Sequence, residues 1–233
     1  MDRDAVRVAA ELMNEIYLSF FNFEIMREAL PLLLRGLVVT AKLCVAVIPL
    51  GIIGGLVLAV MSQSNSRSLR IAVVVFVDLF RAIPPLVLLI LIYSGLPFAG
   101  IDISPFAAVC VGFMLNNSAY YAEIYRAGIE SVDRGQTEAA RSTGMSSAQT
   151  MSYVVLPQAT RNVLPDLLSN TIEVVKLTSI ASVVALQELL YAADMARSLT
   201  YNASPIVLAA AIYLLILWPV VRLLSMMEHR VGN

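Results

Sequence analysis

Two short clusters of amide, hydroxyl and carboxylate side chains interrupt long apolar runs, and their chemistry suits the binding of a polar solute. They consist of Asn116, Asn117 and Ser118 in one run and of Asn170, Glu173 and Thr178 in another. A polar group held away from water is costly unless it has a hydrogen-bonding partner. We therefore expect the two clusters to face an internal polar path rather than lipid.

Charged side chains inside the apolar runs are spaced so that they lie next to each other on a helix. Asp78 and Arg81 are three residues apart, as are Glu173 and Lys176. Residues at this spacing are neighbours on a helix surface, so each pair is predicted to neutralise itself. An alternative interpretation is that Glu123 or Glu173 binds a proton or a sodium ion.

Composition identifies the kind of protein that must position these residues. Of 233 residues, 59% are hydrophobic and only 14% are charged, which is typical of an integral membrane protein. The net charge of −1 argues against nucleic acid as a partner. Cys44 and Cys110 lie in apolar runs, and His229 is the single histidine, so we expect no metal site and no catalytic centre.

Five segments are long and apolar enough to be predicted as transmembrane helices. They are approximately Leu37–Met61, Ile71–Tyr93, Pro105–Tyr125, Val163–Leu186 and Ile206–Leu224. Pro84 and Pro85 must break the second, because proline has no amide hydrogen to donate. Such a break is tolerated only where it is buried or lines a cavity. The predicted fold is therefore an all-α bundle with one broken span.

The arginines of the loops predict the orientation of the spans. Arg67 and Arg70 follow the first span, Arg126 to Arg161 follow the third, and the loop after the second has none. Cytoplasmic loops carry the excess of basic residues, so the N-terminus is predicted to lie outside. The acidic, partly apolar residues 1–28 are predicted to form an interfacial helix, with a disordered tail as the alternative, and residues 29–230 the transmembrane domain.

The segment from about 127 to 161 is too long to be a simple turn between spans. Thr137 is a candidate N-cap for a first short helix, which Gly144 interrupts. A second short helix is predicted from Ser147 to Val155, ended by Leu156 and Pro157. Two short helices are therefore expected on the cytoplasmic face, between the third and fourth spans.

This segment resembles the coupling segment of ABC importer permeases. The matching pattern is Glu138-Ala139-Ala140, Gly144, Val154 and Leu156-Pro157. The stretches "FRAIPPLVLLILIYSGLP", "NSAYYAEIYRAGIESVDRGQTEAAR" and "KLTSIASVVALQELL" are similar to permeases of the polar amino acid uptake branch. The resemblance covers Phe23 to about Arg230.

The resemblance implies a five-span permease subunit of an ATP-driven importer for polar amino acids or their derivatives, in the bacterial inner membrane. It implies a second permease subunit, two cytoplasmic ATPase subunits and a periplasmic substrate-binding protein. The chain has no Walker A pattern, so ATP and Mg²⁺ are expected on the ATPase and no cofactor on this chain. The residues implied to contact the ATPase are Glu138, Ala139, Ala140, Gly144, Leu156 and Pro157.

Two departures from the family pattern bear on the substrate. Ala82 and Ile83 stand where relatives commonly have glycine and threonine, and Leu177 stands where they have the aspartate of K-D-T-S-L. Leu177 and Asn170 cannot neutralise a cationic ligand, and Glu173 is expected to pair with Lys176. Either the substrate is neutral or zwitterionic, or a different partner permease holds it, and the heterodimer is slightly favoured.

Two other classes of membrane protein fit the sequence less well than an importer subunit. An ion-gradient-driven secondary transporter would show an internal repeat, and it would leave the long cytoplasmic segment unexplained. An intramembrane enzyme would need a motif such as H-E-x-x-H or G-x-S-x-G, and the sequence contains neither. We therefore expect a transport subunit that is not itself an enzyme.

Overall fold

The computed structural model describes residues 13–231, and helices form almost all of this part of the chain. In chain order they are α1 (13–20), α2 (Phe23–Ser62), α3 (Arg67–Ala82), α4 (Pro85–Gly95), α5 (Pro105–Glu130), α6 (Arg134–Ser142), α7 (Ser147–Thr150), α8 (Leu156–Asn162), α9 (Leu164–Leu177), α10 (Leu189–Thr200) and α11 (Ser204–Val231). Shorter helical segments are the 3-10 turns Leu96–Ala99 and Thr178–Val184 and the π-helical turn Met151–Val155. The all-α prediction is confirmed for these residues, among which there is no strand.

Three helical stretches within residues 13–231 are long and apolar enough to cross a membrane. They are Met13–Ser62, Leu164–Val184 and Ser204–Met226. A fourth is added if α3 and α4, which meet at a bend of 99°, form one broken span. Although α5 is 26 residues long, its polar side chains keep it out of this set. The length and composition of these helices thus agree with the predicted membrane-spanning character, whereas the count of five spans stays a prediction.

The break between α3 and α4 lies at the predicted proline pair. Ile83 and Pro84 are extended, and α4 restarts at Pro85, where a missing amide hydrogen costs nothing. Because Pro84 cannot donate to the carbonyl of Phe80, that carbonyl would be left unpaired in the helix. The amide nitrogen of Asn116 on α5 donates to it at 2.8 Å instead. Asn116 therefore secures the broken end of α3 in addition to any role toward a solute.

The predicted ion pair between Asp78 and Arg81 is wrong. Arg81 lies 3.9 Å from a carboxylate oxygen of Glu123 on α5, and its guanidinium stands 5.6 Å from the ring centre of Tyr120. Asp78 is exposed and has no cationic partner among the described residues. The spacing of Asp78 and Arg81 on one helix allows them to pair. Arg81 instead contacts α5, because that helix places both the Glu123 carboxylate and the Tyr120 ring beside it.

Glycines of α2 bring this helix into close contact with α5. A Cβ at Gly55 would lie 2.8 Å from the amide nitrogen of Ala122, and one at Gly51 would lie 3.1 Å from the ring of Tyr121. Gly54 likewise faces Ser118 with no room for a side chain. In lipid the hydrophobic effect does not drive helices together. Small residues let two helix backbones approach closely, so that van der Waals packing holds them together instead.

A buried carboxylate at the start of α10 joins three helices. Glu188 is fully buried and accepts hydrogen bonds from the amides of Leu190 and Tyr191 at 2.9 and 2.7 Å. The hydroxyl of Tyr213 on α11 donates to it at 3.3 Å. Burial raises the pKa of the Glu188 carboxyl, and these hydrogen bonds act in the opposite direction. Because Gly36 of α2 packs on the backbone of Glu188, α2, α10 and α11 meet at this point.

The residues before α2 contact the turn between α10 and α11. The side-chain amide of Asn202 donates to the Leu18 carbonyl at 2.8 Å, and the Ala203 amide donates to the Ser19 carbonyl at 2.9 Å. Residues 1–12 of the predicted interfacial segment lie outside the described residues. The structure places the predicted boundary between residues 28 and 29 inside α2, and the interfacial role of residues 1–28 stays a prediction.

The first short helix after α5 starts earlier than predicted. Asp133, not Thr137, is the N-cap of α6, and its carboxylate accepts from the amide of Gly135 at 2.7 Å. Asp is as good a cap as Thr, and the chain turns into the helix at its position. α6 ends at Ser142, and Gly144 follows with φ of +89°, a conformation that costs free energy for residues with a Cβ.

The second short helix does not end at Leu156 and Pro157. Helical structure continues from α7 through the π-helical turn into α8, which ends at Asn162. Pro157 lies in the first turn of α8. Its missing amide hydrogen is tolerated there, because the π-helical turn has already shifted the hydrogen-bond pattern of the preceding residues.

Candidate functional site

A cavity of about 450 Å³ opens between the start of α4, the middle of α5 and the second half of α9. We call it the polar cavity. Its lining includes four of the predicted substrate-path residues, Asn116, Asn117, Asn170 and Glu173. The others are Pro85, Tyr120, Val174, Lys176, Leu177, Ser179 and Ile180. The broken helix and the two polar helices predicted from the sequence thus meet around one space.

The α5 wall of the polar cavity presents two buried asparagines, Asn116 and Asn117. Their amide nitrogens are already engaged, that of Asn116 with the Phe80 carbonyl and that of Asn117 with the Phe113 carbonyl at 2.9 Å. Their amide oxygens accept no hydrogen bond from any residue that the structure describes. The free groups on this wall are therefore the two amide oxygens, which suit the N–H groups of a solute, and the second N–H of each amide, which suits an acceptor.

The α9 wall carries the charges of the polar cavity. Lys176 and Glu173 form the predicted ion pair, and both side chains remain about half exposed, at 49% and 65%. Asn170 lies one turn before Glu173, and its amide nitrogen is buried without a hydrogen-bond partner among the described residues. Leu177, at the position of the family's aspartate, lines the same wall.

Two of the predicted substrate-path residues do not line the polar cavity. Ser118 is buried against Gly54 of α2. Thr178 is fully buried, and its hydroxyl donates to the Val175 carbonyl one turn earlier at 2.7 Å. The structure therefore places both in packing positions around the cavity.

Tyr120 is a cavity residue that the sequence reasoning missed. It lies one helical turn from Asn116 and Asn117 and presents its ring to the polar cavity, with the Arg81 guanidinium at the same ring. The signal for it was present, because residues three and four apart share a helix face. The link from Arg81 through Tyr120 connects the break in the second span to the cavity wall.

A second, smaller cavity of about 310 Å³ lies between α2, α3 and α5 and contains a network of charges. Arg126 pairs with both Glu123 and Glu130, and Arg81 approaches Glu123 from α3. Glu123 was one of the two candidates for a proton or sodium site. Two arginines hold its carboxylate, so its charge is already balanced within the chain.

The predicted ATPase-coupling residues lie in α6, at Gly144 just after it, and at the start of α8. Glu138 and Ala139 are exposed, and Ala140 packs inward with 8% exposure. Gly144 has open space around it, since no atom lies within 4 Å of a Cβ built there. Leu156 and Pro157 line a shallow cavity of about 400 Å³ beside α2. These positions leave part of α6 free for a partner, and their coupling role stays a prediction.

Comparison with known proteins identifies the family of this chain. Residues 48–233 match the family described as binding-protein-dependent transport system inner membrane component. The probable amino-acid ABC transporter permease protein PatM of Vibrio harveyi is 37% identical over 218 residues, 89% of this chain and 93% of that protein. The probable amino-acid ABC transporter permease protein YckA of Bacillus subtilis is 35% identical over 180 residues, 77% of this chain and 80% of that protein.

A solved structure agrees with these relatives. The crystal structure of an amino acid ABC transporter with histidines contains a chain that is 40% identical, with a TM-score of 0.80 and coverage of 88% of this chain and 96% of that chain. Members of the family are transport subunits whose ATPase is a separate chain and which work with a substrate-binding protein. An ion-gradient-driven transporter has no support from these relatives. This chain therefore belongs to the binding-protein-dependent transport system inner membrane components, the multi-pass permease subunits of bacterial ABC importers.

Proposed function

We propose that this chain forms part of the translocation path for polar amino acids or their derivatives in an ATP-driven importer. The observation that carries the substrate class is the polar cavity, in which amides and one ion pair from α5 and α9 face a space inside an apolar bundle. The names of the relatives support it, since several are amino-acid permeases. Residues that contact substrate are Asn116, Asn117, Asn170 and Glu173, with Ser118 and Thr178 supporting them from behind.

We infer a topology of five spans with the N-terminus outside. The spans are α2, the broken pair α3 and α4, α5, α9 with its 3-10 segment, and α11. α5 counts because its polar side chains face other helices and the polar cavity rather than lipid. The basic loops then lie inside, together with α6 to α8.

Cysteine labelling tests this topology. A cysteine at Ser66 or Thr137 should react with a membrane-impermeant maleimide only after the membrane is permeabilised, so that the reagent reaches the cytoplasmic side. A cysteine at Asp102 or Asn202 should react in intact spheroplasts. The reverse pattern would contradict the orientation, and accessibility of Thr137 and Asp102 from one side would contradict the span count.

We infer that α6 and the start of α8 couple this chain to the ATPase, which alone binds ATP and Mg²⁺. The contact residues are Glu138, Ala139, Ala140, Gly144, Leu156 and Pro157. Gly144 is the sharpest test, because its φ of +89° disfavours any side chain and its surroundings are otherwise open. Gly144→Asp should therefore leave the spans folded and abolish ATP-driven uptake.

The measurement is uptake into proteoliposomes that hold the complete complex, together with co-purification of the ATPase. Gly100→Asp is the matched control, since Gly100 also has a positive φ, +77°, and open space but lies after the 3-10 turn that follows α4, far along the chain from α6. Normal uptake by an assembled Gly144→Asp complex would rule out the coupling assignment.

The second permease subunit is expected to be a different chain. Leu177 and Asn170 leave the polar cavity without a carboxylate for a cationic side chain, and Glu173 is neutralised by Lys176. A ligand charge left unpaired inside a membrane protein costs several kcal/mol. A different partner could hold a dibasic ligand that this chain cannot, whereas arginine or lysine uptake by a homodimer would contradict this inference.

A further inference from the structure

A cavity of about 650 Å³ between the end of α5, α6 and the π-helical turn carries an excess of positive charge. Arg134 and Arg141 of α6 line it, and we call it the basic cavity. They are seven residues apart, two turns on one helix face. Neither pairs with a carboxylate among the described residues, although Arg141 donates to the Met145 carbonyl at 2.6 Å. Glu130 also lines the cavity, but Arg126 already neutralises it.

A buried hydroxyl in the basic cavity has no hydrogen-bonding partner. Thr150 lines the cavity and is 2% exposed, and its hydroxyl forms no hydrogen bond with any residue that the structure describes. A buried polar group without a partner is costly, and a ligand oxygen that accepts its hydrogen removes this cost. Two guanidinium groups and a hydroxyl together suit the oxygens of a phosphate. The basic cavity therefore has the donors of a phosphate site.

An apolar groove of about 400 Å³ adjoins the basic cavity. Val57 and Val60 of α2 line the groove together with Ala148 and Met151, and both valines are partly exposed, at 51% and 36%. Met151 lines the basic cavity as well, and so does Gln63, three positions after Val60. Over about 9 Å along α2, from Val57 to Gln63, the lining thus changes from apolar to basic.

We propose that the basic cavity and the apolar groove together bind one anionic phospholipid. The phosphate lies at Arg134 and Arg141, and an acyl chain lies in the groove against Val57 and Met151. In the topology inferred above, α6 and the end of α2 are on the cytoplasmic side, where basic pockets beside membrane helices bind anionic head groups. A free phosphate would occupy only the basic cavity, whereas a lipid occupies both spaces and bridges α2 to the segment between α5 and α9.

Photocrosslinking in the complete complex tests this site. The permease–ATPase complex is reconstituted in nanodiscs of phosphatidylcholine that contain a small fraction of phosphatidylglycerol with a diazirine on one acyl chain. A second sample contains the same fraction of phosphatidylcholine with the same diazirine, and labelled peptides are identified by mass spectrometry. Because two arginines attract the anionic head group, phosphatidylglycerol should label the groove roughly 10-fold or more strongly. Equal labelling by the two lipids would overturn the proposal.

Arginine variants test the head-group half of the site. The double variant Arg134→Gln with Arg141→Gln should reduce labelling by phosphatidylglycerol to the level of phosphatidylcholine. The matched control is Arg70→Gln, because Arg70 is also exposed and donates to a backbone carbonyl, that of Ser64 at 3.1 Å, but lines neither space. Unchanged labelling in the double variant, or an equal loss in Arg70→Gln, would overturn the proposal.

A bulky side chain tests the acyl-chain half. Val57→Trp should fill the apolar groove and lower the labelling of Met151 several-fold. Val45→Trp, at a valine of α2 that is 75% exposed and lies outside the groove, should leave that labelling unchanged. The same labelling of Met151 in both variants would show that no acyl chain lies in the groove, and the lipid site would be wrong.

A soluble head group distinguishes a lipid from a free phosphate. sn-Glycerol 3-phosphate, added at the concentration of the probe lipid, should leave the labelling unchanged, because it has no acyl chain to occupy the groove. If it suppresses the labelling, the basic cavity binds small anions and the lipid site is wrong. If no groove peptide is labelled in the complete complex, a protein partner covers the cavity or the cavity is empty, and the proposal is again overturned.

Discussion

The two sides of α5 differ in packing, although neighbouring residues of the same helix form both. Toward α2, Ser118 and Tyr121 press on Gly54 and Gly55 so closely that no Cβ fits there. Toward α9, Asn116 and Asn117 border a cavity of about 450 Å³ and keep their amide oxygens free. One side is dry and tightly packed, whereas the other is polar and open.

This difference shows why a polar tripeptide in a membrane helix does not have a single role. Successive residues of an α-helix are about 100° apart, so Asn116 and Ser118 cannot share a face. The helix needs a close contact on one side to hold the open wall in place on the other. The glycines of α2 supply that contact, and the asparagines are positioned by it.

The largest expected effect comes from adding a side chain to the tightly packed contact between α2 and α5. Gly55→Ala places a methyl group 2.8 Å from the Ala122 amide nitrogen and closer still to Tyr121, so the two helices must separate. Overpacking of this kind costs about 1–3 kcal/mol or more. We expect a lower yield of folded protein and a lower midpoint of thermal unfolding in detergent.

The control is Gly95→Ala, at the end of α4, where a Cβ meets no atom within 4 Å. Ala is the better helix former, so this variant should match or slightly exceed the wild type in thermal stability. Equal stability of the two variants would show that the α2–α5 contact is looser than the structure has it.

A substitution on the cavity side of α5 is expected to affect folding less and transport strongly. Asn116→Ala removes a free acceptor from the cavity and the donor that satisfies the Phe80 carbonyl. Leaving a buried carbonyl unpaired costs about 1–3 kcal/mol, and we expect uptake to fall roughly 10-fold or more. Ser118→Ala should leave uptake unchanged, because that side chain faces Gly54. The two variants are compared at equal amounts of assembled complex. If both lose uptake equally, the two sides of α5 do not differ in their role in transport.

The smallest effect is expected at Tyr121, which packs on α2 while its hydroxyl reaches Thr171 of α9. Because the Thr171 hydroxyl donates its hydrogen to the Leu167 carbonyl, the Tyr121 hydroxyl is the donor in its 2.8 Å contact with Thr171. Tyr121→Phe should cost about 0.5–1.5 kcal/mol of stability and leave uptake unchanged at saturating substrate. Thermal unfolding and uptake measured on the same preparation check this, and a severe transport defect would instead place Tyr121 in the substrate path.

Features that depend on neighbouring residues could be predicted from the sequence. The break at Pro84 and Pro85 follows from a missing amide hydrogen, and the Glu173–Lys176 pair follows from spacing on one helix face. The apolar character of the spans follows from composition. The N-cap of α6 was predicted wrongly because Asp133 and Thr137 are both capable caps and only the course of the chain selects one.

Features that depend on how helices rotate and cross were decided by the tertiary structure. The pairing of Arg81 with Glu123 rather than Asp78, and the packing of Ser118 on Gly54 rather than in the cavity, both require α5 to lie against α2 and α3 at one rotation. The sequence by itself determined which residues are polar and on which helices they lie. Only the packing of those helices decided which polar groups meet a protein partner and which remain free for a solute, because that choice depends on distances between residues far apart in the chain.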